Sequence, residues 1–241
     1  MKEIFLLDLI KIRLKNKIKL DNKNSNKINF FKNLNIKKNS IEISGKNNEL
    51  EIRSNVELKN VVIKLNGKNN KIVIKENSKL KDTDIIVNEK NNKIIISENI
   101  KIYKSYFFIN GENSKIFVGK DTTIEGAKLN SQENNNEIFI GENCMFSYNV
   151  EVRNTDSHPI FDFQNKLINN GQKVIIKDRV WLSEGVTVLK GVVIENDCIV
   201  GAKSLVTKSI DKSNSLSAGI PAKIIKEKVK WRRFFDNKEI K

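Results

Sequence analysis

Asn47-Asn48-Glu49-Leu50-Glu51-Ile52, Asn69-Asn70-Lys71-Ile72-Val73-Ile74 and Asn91-Asn92-Lys93-Ile94-Ile95-Ile96 are one phrase, repeated at a constant step of 22 along the chain. The phrase continues in both directions. Its first apolar position falls at Ile28, Leu50, Ile72, Ile94, Ile116 and Ile138, and its second at Phe30, Ile52, Ile74, Ile96, Val118 and Ile140. Residues two apart face the same side of a strand, so each phrase presents one apolar edge. Asn tolerates the left-handed backbone region and bonds its own turn, so the Asn pairs suit corners. Further on, Ile176, Leu182, Val188, Ile194, Val200 and Val206 recur at every sixth position, with Val180, Val186, Val192, Cys198, Ser204 and Ile210 four places after each. Three such units make a triangular coil of about 18 residues, and four more at one corner make 22. Strands this close leave no room for the dozen-residue crossovers of a βαβ sheet. The expected fold is therefore an all-β parallel solenoid with stacked aliphatic columns as its core.

Composition narrows the function less. The 241-residue chain holds 44 Lys and Arg against 29 Asp and Glu, a formal charge of +15. That balance favours anionic partners, but a chain rich in Lys, Asn and Ile together also reads as compositional bias. Cys144 and Cys198 form no disulfide framework and no metal motif, which points to no metal and to a reducing, cytoplasmic setting. Both fall in the inward register and read as small core residues. The longest apolar run near the start, Ile4 to Leu7, is too short to span a bilayer, so no integral membrane segment is expected. The expected organisation is an N-terminal cap over residues 1–22, a solenoid over 23–222 and a basic tail over 223–241. A capping strand and a short helix near Lys228–Phe235 are predicted in that tail. Trp231, Arg232, Arg233, Phe234 and Phe235 are of the types that stack on nucleic acid. A packed helix with coenzyme or glycan contacts is the preferred reading, and no nucleic-acid partner is expected.

Residues 157–173 have no hexapeptide phase and read as a loop thrown out of one coil, a place where function concentrates. His158, the single histidine, stands at its base in Asn154-Thr155-Asp156-Ser157-His158-Pro159. Imidazole is the side chain best matched to proton transfer near neutral pH, so His158 is the candidate general base. Asp156 either orients that ring or serves as a turn residue.

Asp156-x-His158-Pro159, Val180-Trp181-Leu182, Val200-Gly201-Ala202-x-Ser204, Thr207-Lys208 and Ala218-Gly219-Ile220-Pro221-Ala222-Lys223 occur in the order found in hexapeptide acetyltransferases. Over roughly 138–226 the chain resembles that family. Val152-Arg153-Asn154-Thr155-Asp156 and the tail Ile224-Ile225-Lys226, Trp231 and Arg233 are similar to bacterial capsular sialic acid O-acetyltransferases. The resemblance implies a left-handed β-helix, a homotrimer with sites between neighbours, and acetyl-CoA as co-substrate. It makes His158 the base and puts Trp181 in the catalytic pocket, where the alternative is a capping aromatic. It puts Gly201, Ala202, Lys203 and Ser204 at a coenzyme turn, and Thr207, Lys208 and Lys223 near the phosphates. Arg153, Asn154 and Lys166 are the candidates for binding an anionic glycan acceptor. The chain departs from the family's pattern at Lys203, Ser183 and Glu195, where glycines are usual. The activity implied is acetyl transfer to a hydroxyl of sialic acid in a capsular or surface glycan. The rivals are N-acetylation of a nucleotide-linked amino sugar and a non-catalytic solenoid that binds a polyanion.

Overall fold

A computed structural model describes residues 12–234. The first eleven residues of the expected cap and the last seven of the tail lie outside the described residues. The chain is a parallel β-solenoid with three faces. The third face is one eight-stranded parallel sheet that takes in Lys27–Phe30, Lys93–Ile96, Lys115–Val118, Glu137–Ile140, Val174–Ile176 and Val193–Ile194. The first face includes Lys101–Tyr103, Thr123–Ile124, Met145–Phe146, Trp181–Leu182 and Ile199–Val200. The second includes Tyr106–Ile109, Ala127–Ser131, Val150–Arg153, Thr187–Val188 and Leu205–Val206. Among the described residues, stacking begins at Lys17–Leu20, which pairs in parallel with Ser40–Ile43, within the segment expected as a cap.

The registers confirm both periods. Ile72 pairs with Ile94, Ile94 with Ile116 and Ile116 with Ile138, in 22-residue steps. Trp181 pairs with Ile199 and Thr187 with Leu205, in 18-residue steps. Equivalent core positions show where the coils differ. From the second face to the third, the chain runs all the way from Phe107 to Val118 in an N-terminal coil, but only from Val188 to Ile194 in a C-terminal one. The longer path enlarges the second-to-third corner of the N-terminal coils, and their first-to-second corner is slightly tighter in compensation. The same corner is longest from Val152 to Ile176, a span that includes the loop. The loop and the Asn-rich turns are thus one feature at one edge of the prism.

Inside, the aliphatic columns are fully buried; Ile72, Ile94, Ile116, Ile138, Val174 and Ile194 are all at 0% exposure. At the corners, Asn residues form ladders. Asn47, Asn69, Asn91, Asn113 and Asn135 all hold φ between 54° and 59°, which Asn accepts more readily than other L residues. Each side-chain amide donates to the next Oδ1 at 3.0–3.2 Å. Beside them, Asn48, Asn70 and Asn92 are buried, and each Oδ1 accepts the backbone N–H of the residue 22 positions on. Gly67, at φ +82°, has no room for a Cβ, which would stand 1.8 Å from the carbonyl oxygen of Glu89.

At the far end, Ser215–Gly219 adds in parallel to the first face, and Ala222–Glu227 turns back antiparallel to it. This is the expected capping strand. The expected helix is not there: residues 228–234 are non-helical. Two of their side chains are committed to the solenoid instead. Buried Trp231 donates its Nε1–H to the Arg179 carbonyl at 2.8 Å, and Arg233 reaches Thr123 Oγ1 at 2.6 Å and the carbonyls of Asp121 and Cys144. Burial pushes the pKa of Arg233 down from its usual value. These side chains strap the tail across the coils.

Candidate active site

The enlarged corner builds the site. Val150–Arg153 carries the chain to Asn154 and Thr155, which are buried, and then outward to exposed Asp156 and His158. Asn154 turns inward: its Nδ2 donates to Ser131 Oγ at 2.9 Å, and its carbonyl accepts from Gln172 N–H. Asn154, expected as an acceptor contact, is thus buried at the corner. Glu133, in the preceding Asn-rich turn, accepts from Thr155 Oγ1 at 2.6 Å and from Gly171 N–H at 2.5 Å. Both roots of the loop therefore rest on the last of the wide coils.

The loop itself is a small hairpin, bridged at Phe161 and Leu167. Asp162 holds its tip by accepting from Gln164 and Lys166 backbone N–H groups at 2.9 Å each. Lys166 is exposed there, while Ile160, Phe161, Phe163 and Ile168 present an apolar arm to the surface. Arg153 is half-buried at the root and donates to Ser157 Oγ at 3.1 Å. His158 is exposed, and its ring makes no hydrogen bond among the described residues.

Asp156 has other partners than His158. Its Oδ2 accepts from Lys190 Nζ at 2.5 Å and from Asn169 Nδ2 at 3.0 Å. Those bonds, Lys190's foremost, hold the Asp156 carboxyl below its ordinary pKa against the opposing effect of burial. Neither Lys190 nor Asn169 stands out in the sequence. Val188 lies in register with Val152, so counting two places on from each sets Lys190 beside Asn154, next to Asp156.

The expected coenzyme residues do not share one edge. Thr207 and Lys208 are exposed at the second-to-third corner, the loop's own edge, further along the stack. Gly201, Ala202 and Lys203 form the first-to-second corner, with Lys203 at φ +60° and its Nζ 3.2 Å from Glu184. Ser204 is buried there, donating to the Gly201 carbonyl at 2.7 Å and accepting from Gly219 N–H, so its hydroxyl is spent inside the chain. Lys223 is exposed on the capping strand. Trp181 lies half-exposed on the first face, its ring 6.1 Å from Trp231 and a whole face away from the loop corner. Within one chain, Trp181 and His158 do not meet. A separate cavity of about 200 Å³, lined by Lys81, Asp82, Tyr103, Lys104, Glu125 and Tyr148, opens at the first-to-second corner, away from the loop. Among the described residues no cluster could hold a metal ion, and no helix is long and apolar enough to cross a membrane.

No family model matches the chain. The polysialic acid O-acetyltransferase of Neisseria meningitidis is 36% identical over 93 residues, 38% of this chain and 43% of that protein. That of Escherichia coli O1:K1 is 37% identical over 92 residues, 38% of this chain and 30% of that protein. The chain thus matches less than half the length of these curated relatives. Solved structures extend the match. The polysialic acid O-acetyltransferase OatWY superposes with a TM-score of 0.74 at 30% identity, over 83% of this chain and 94% of its own. The polySia-specific acetyltransferase NeuO gives 0.69 at 30% identity, over 83% and 92%. With both solved enzymes matched over more than nine-tenths of their length on the same solenoid, this chain belongs to the polysialic acid O-acetyltransferase family.

Proposed function

We propose that the protein transfers acetyl from acetyl-CoA to a hydroxyl of a sialic-acid-containing capsular or surface glycan, with His158 as general base. The observation that carries this reading is the loop corner: the chain's single histidine stands exposed at the loop's base, its main chain is pinned, and its ring is free for an acceptor. Thr207 and Lys208 lie on the same edge, suited to hold the coenzyme's anionic end while the thioester lies near His158. The ring takes the acceptor hydroxyl proton as the sugar oxygen bonds to the acetyl carbon. It returns that proton to the departing thiolate and ends the cycle neutral.

A homotrimer fits the same reading. Trp181 sits on the first face and the Gly201–Ala202–Lys203 corner on another edge than His158, so one pocket holding all of them takes a neighbouring chain. The exposed arm of Ile160, Phe161, Phe163 and Ile168 offers apolar surface for such a neighbour to cover. Two free, buried cysteines suit a reducing compartment, and we place the protein in the cytoplasm.

The test is mass spectrometry of oligosialic acid incubated with acetyl-CoA and protein. A gain of acetyl groups with wild-type protein, reduced about 10²–10⁴-fold in His158→Ala, is expected. Near-normal turnover by His158→Ala with coenzyme binding intact would sink the mechanism.

A further inference from the structure

The side chain of Asn169, on the returning limb of the loop, uses both ends of its amide on the segment that carries His158. Nδ2 donates to the His158 carbonyl at 2.9 Å and to Asp156 Oδ2 at 3.0 Å, and Oδ1 accepts from Ile160 N–H at 2.7 Å. One amide therefore clamps residues 156, 158 and 160, bracketing the histidine. Lys190 joins this clamp to the next coil. Its Nζ donates to Asp156 Oδ2 at 2.5 Å and to the Asn169 carbonyl at 2.7 Å, and its side chain is only 19% exposed. Lys190 follows Thr187–Val188, a strand paired with Val150–Arg153 in the stacked core. The outgoing root, the returning root and the scaffold thus close into one ring of hydrogen bonds.

We propose that Asn169 and Lys190 are positioning residues for His158, with Asp156 as the acceptor that links them; the inference rests on the reading of His158 as general base. The physical reason lies in the loop. Its hairpin is exposed, and among the described residues the histidine ring has no hydrogen bond to fix it, so its aim depends on the main chain beneath it. A misplacement of about 1 Å at a reacting group costs on the order of 10²-fold in rate. Asp156 then acts through the main chain, as an anchor, and never touches the imidazole.

The clamp demands donors from Asn169 and a cation from position 190. Asn169→Asp keeps the shape but sets a carboxylate against the Asp156 carboxylate and the His158 carbonyl, where a donor is needed. Lys190→Ala removes the link to the scaffold, and Lys190→Arg keeps a cation able to reach both acceptors. Purified full-length variants are assayed with acetyl-CoA and oligosialic acid beside wild type and His158→Ala. The expected result is kcat lower by about 10- to 100-fold in Asn169→Asp and Lys190→Ala. KM for acetyl-CoA should stay within about twofold and thermal melting should be unchanged, while Lys190→Arg recovers most of kcat. Hydrogen exchange should quicken at residues 156–160 in the two damaged variants. Wild-type kcat in both, beside an inactive His158→Ala, overturns the clamp alone, as does a loss that Lys190→Arg does not recover. Full activity in His158→Ala overturns the general-base reading and the clamp with it.

Discussion

Replacing Asn70 by Ala should cost far more than replacing its neighbour Asn69, although both sit in the same turn. Asn70 is 1% exposed. Its Nδ2 donates to the carbonyls of Asn66 at 2.5 Å and Glu89 at 2.9 Å, and its Oδ1 accepts from the Asn92 N–H at 2.8 Å. Alanine deletes all three bonds in a dry corner. Each carbonyl bond is worth about 0.5–1.5 kcal/mol net, and an orphaned buried N–H costs about 1–3 kcal/mol, so the loss should total about 2–6 kcal/mol. Asn69 is exposed, at φ +56°, with two solvent-facing side-chain bonds in the ladder, donating to Asn91 Oδ1 at 3.1 Å and accepting from Asn47 at 3.2 Å. There the cost of alanine is mainly the left-handed backbone, about 1–2 kcal/mol, and glycine should relieve most of it. At Asn70 glycine should help little, because the missing bonds are what hurts. Solenoid stability is a sum of coil and interface terms, so the damage should be local. Hydrogen exchange across residues 66–92, with denaturant unfolding of the same variants, reads both effects. If Asn70→Ala loses less than about 1 kcal/mol of protection, or Asn69→Gly is the worse variant, the buried Asn column is not what holds the corner.

Lys208→Ala and Lys223→Ala should raise KM for acetyl-CoA more than they lower kcat, and should matter less for a short thioester without the nucleotide; equal losses with both donors would remove these lysines from the phosphates. The Cys144 thiol, buried in the core, is pushed up to about 12, chiefly by that burial, so the folded protein should resist iodoacetamide at mildly alkaline pH at this residue and react only on unfolding. Peptide mapping that finds Cys144 labelled in the native protein contradicts this. If the basic surface steers an anionic acceptor, kcat/KM should fall as salt shortens screening below about 8 Å, and a carboxyl-reduced analogue should lack that dependence. An analogue that reacts equally well, with the same salt response, returns the charge of +15 to compositional bias.

The core was legible because a solenoid repeats the same contact at a fixed step. Ile94 pairs with Ile72 on one side and Ile116 on the other, so counting was enough to recover the register. The loop was legible by its loss of phase. What counting could not supply was any contact that crosses the repeat. Asn169 meets Asp156 and His158 only because the hairpin folds back, and no period encodes where a hairpin returns. Ser204 matched a coenzyme turn by its motif, and its hydroxyl bonds Gly201 and Gly219 inside the chain, the second by the path of Ser215–Gly219 alone. The tail misled differently. Its aromatic and basic run suits a helix locally, but Trp231 and Arg233 gain more from burial against Arg179, Thr123 and Cys144 than a short exposed helix offers.

The second-to-third corner has three widths, narrow from Val188 to Ile194, wider from Phe107 to Val118 and widest from Val152 to Ile176, and they bear on how such a protein can change over time. A strand in a flat sheet that gains a residue turns every later side chain over. Here, length gained at this edge is absorbed before the next rung begins, and the aliphatic columns on either side keep their alignment. The prism thus has one edge that is free to vary in length and faces that are not. A lineage can rewrite what the loop touches by lengthening, shortening or exchanging it, without refolding the enzyme around each trial.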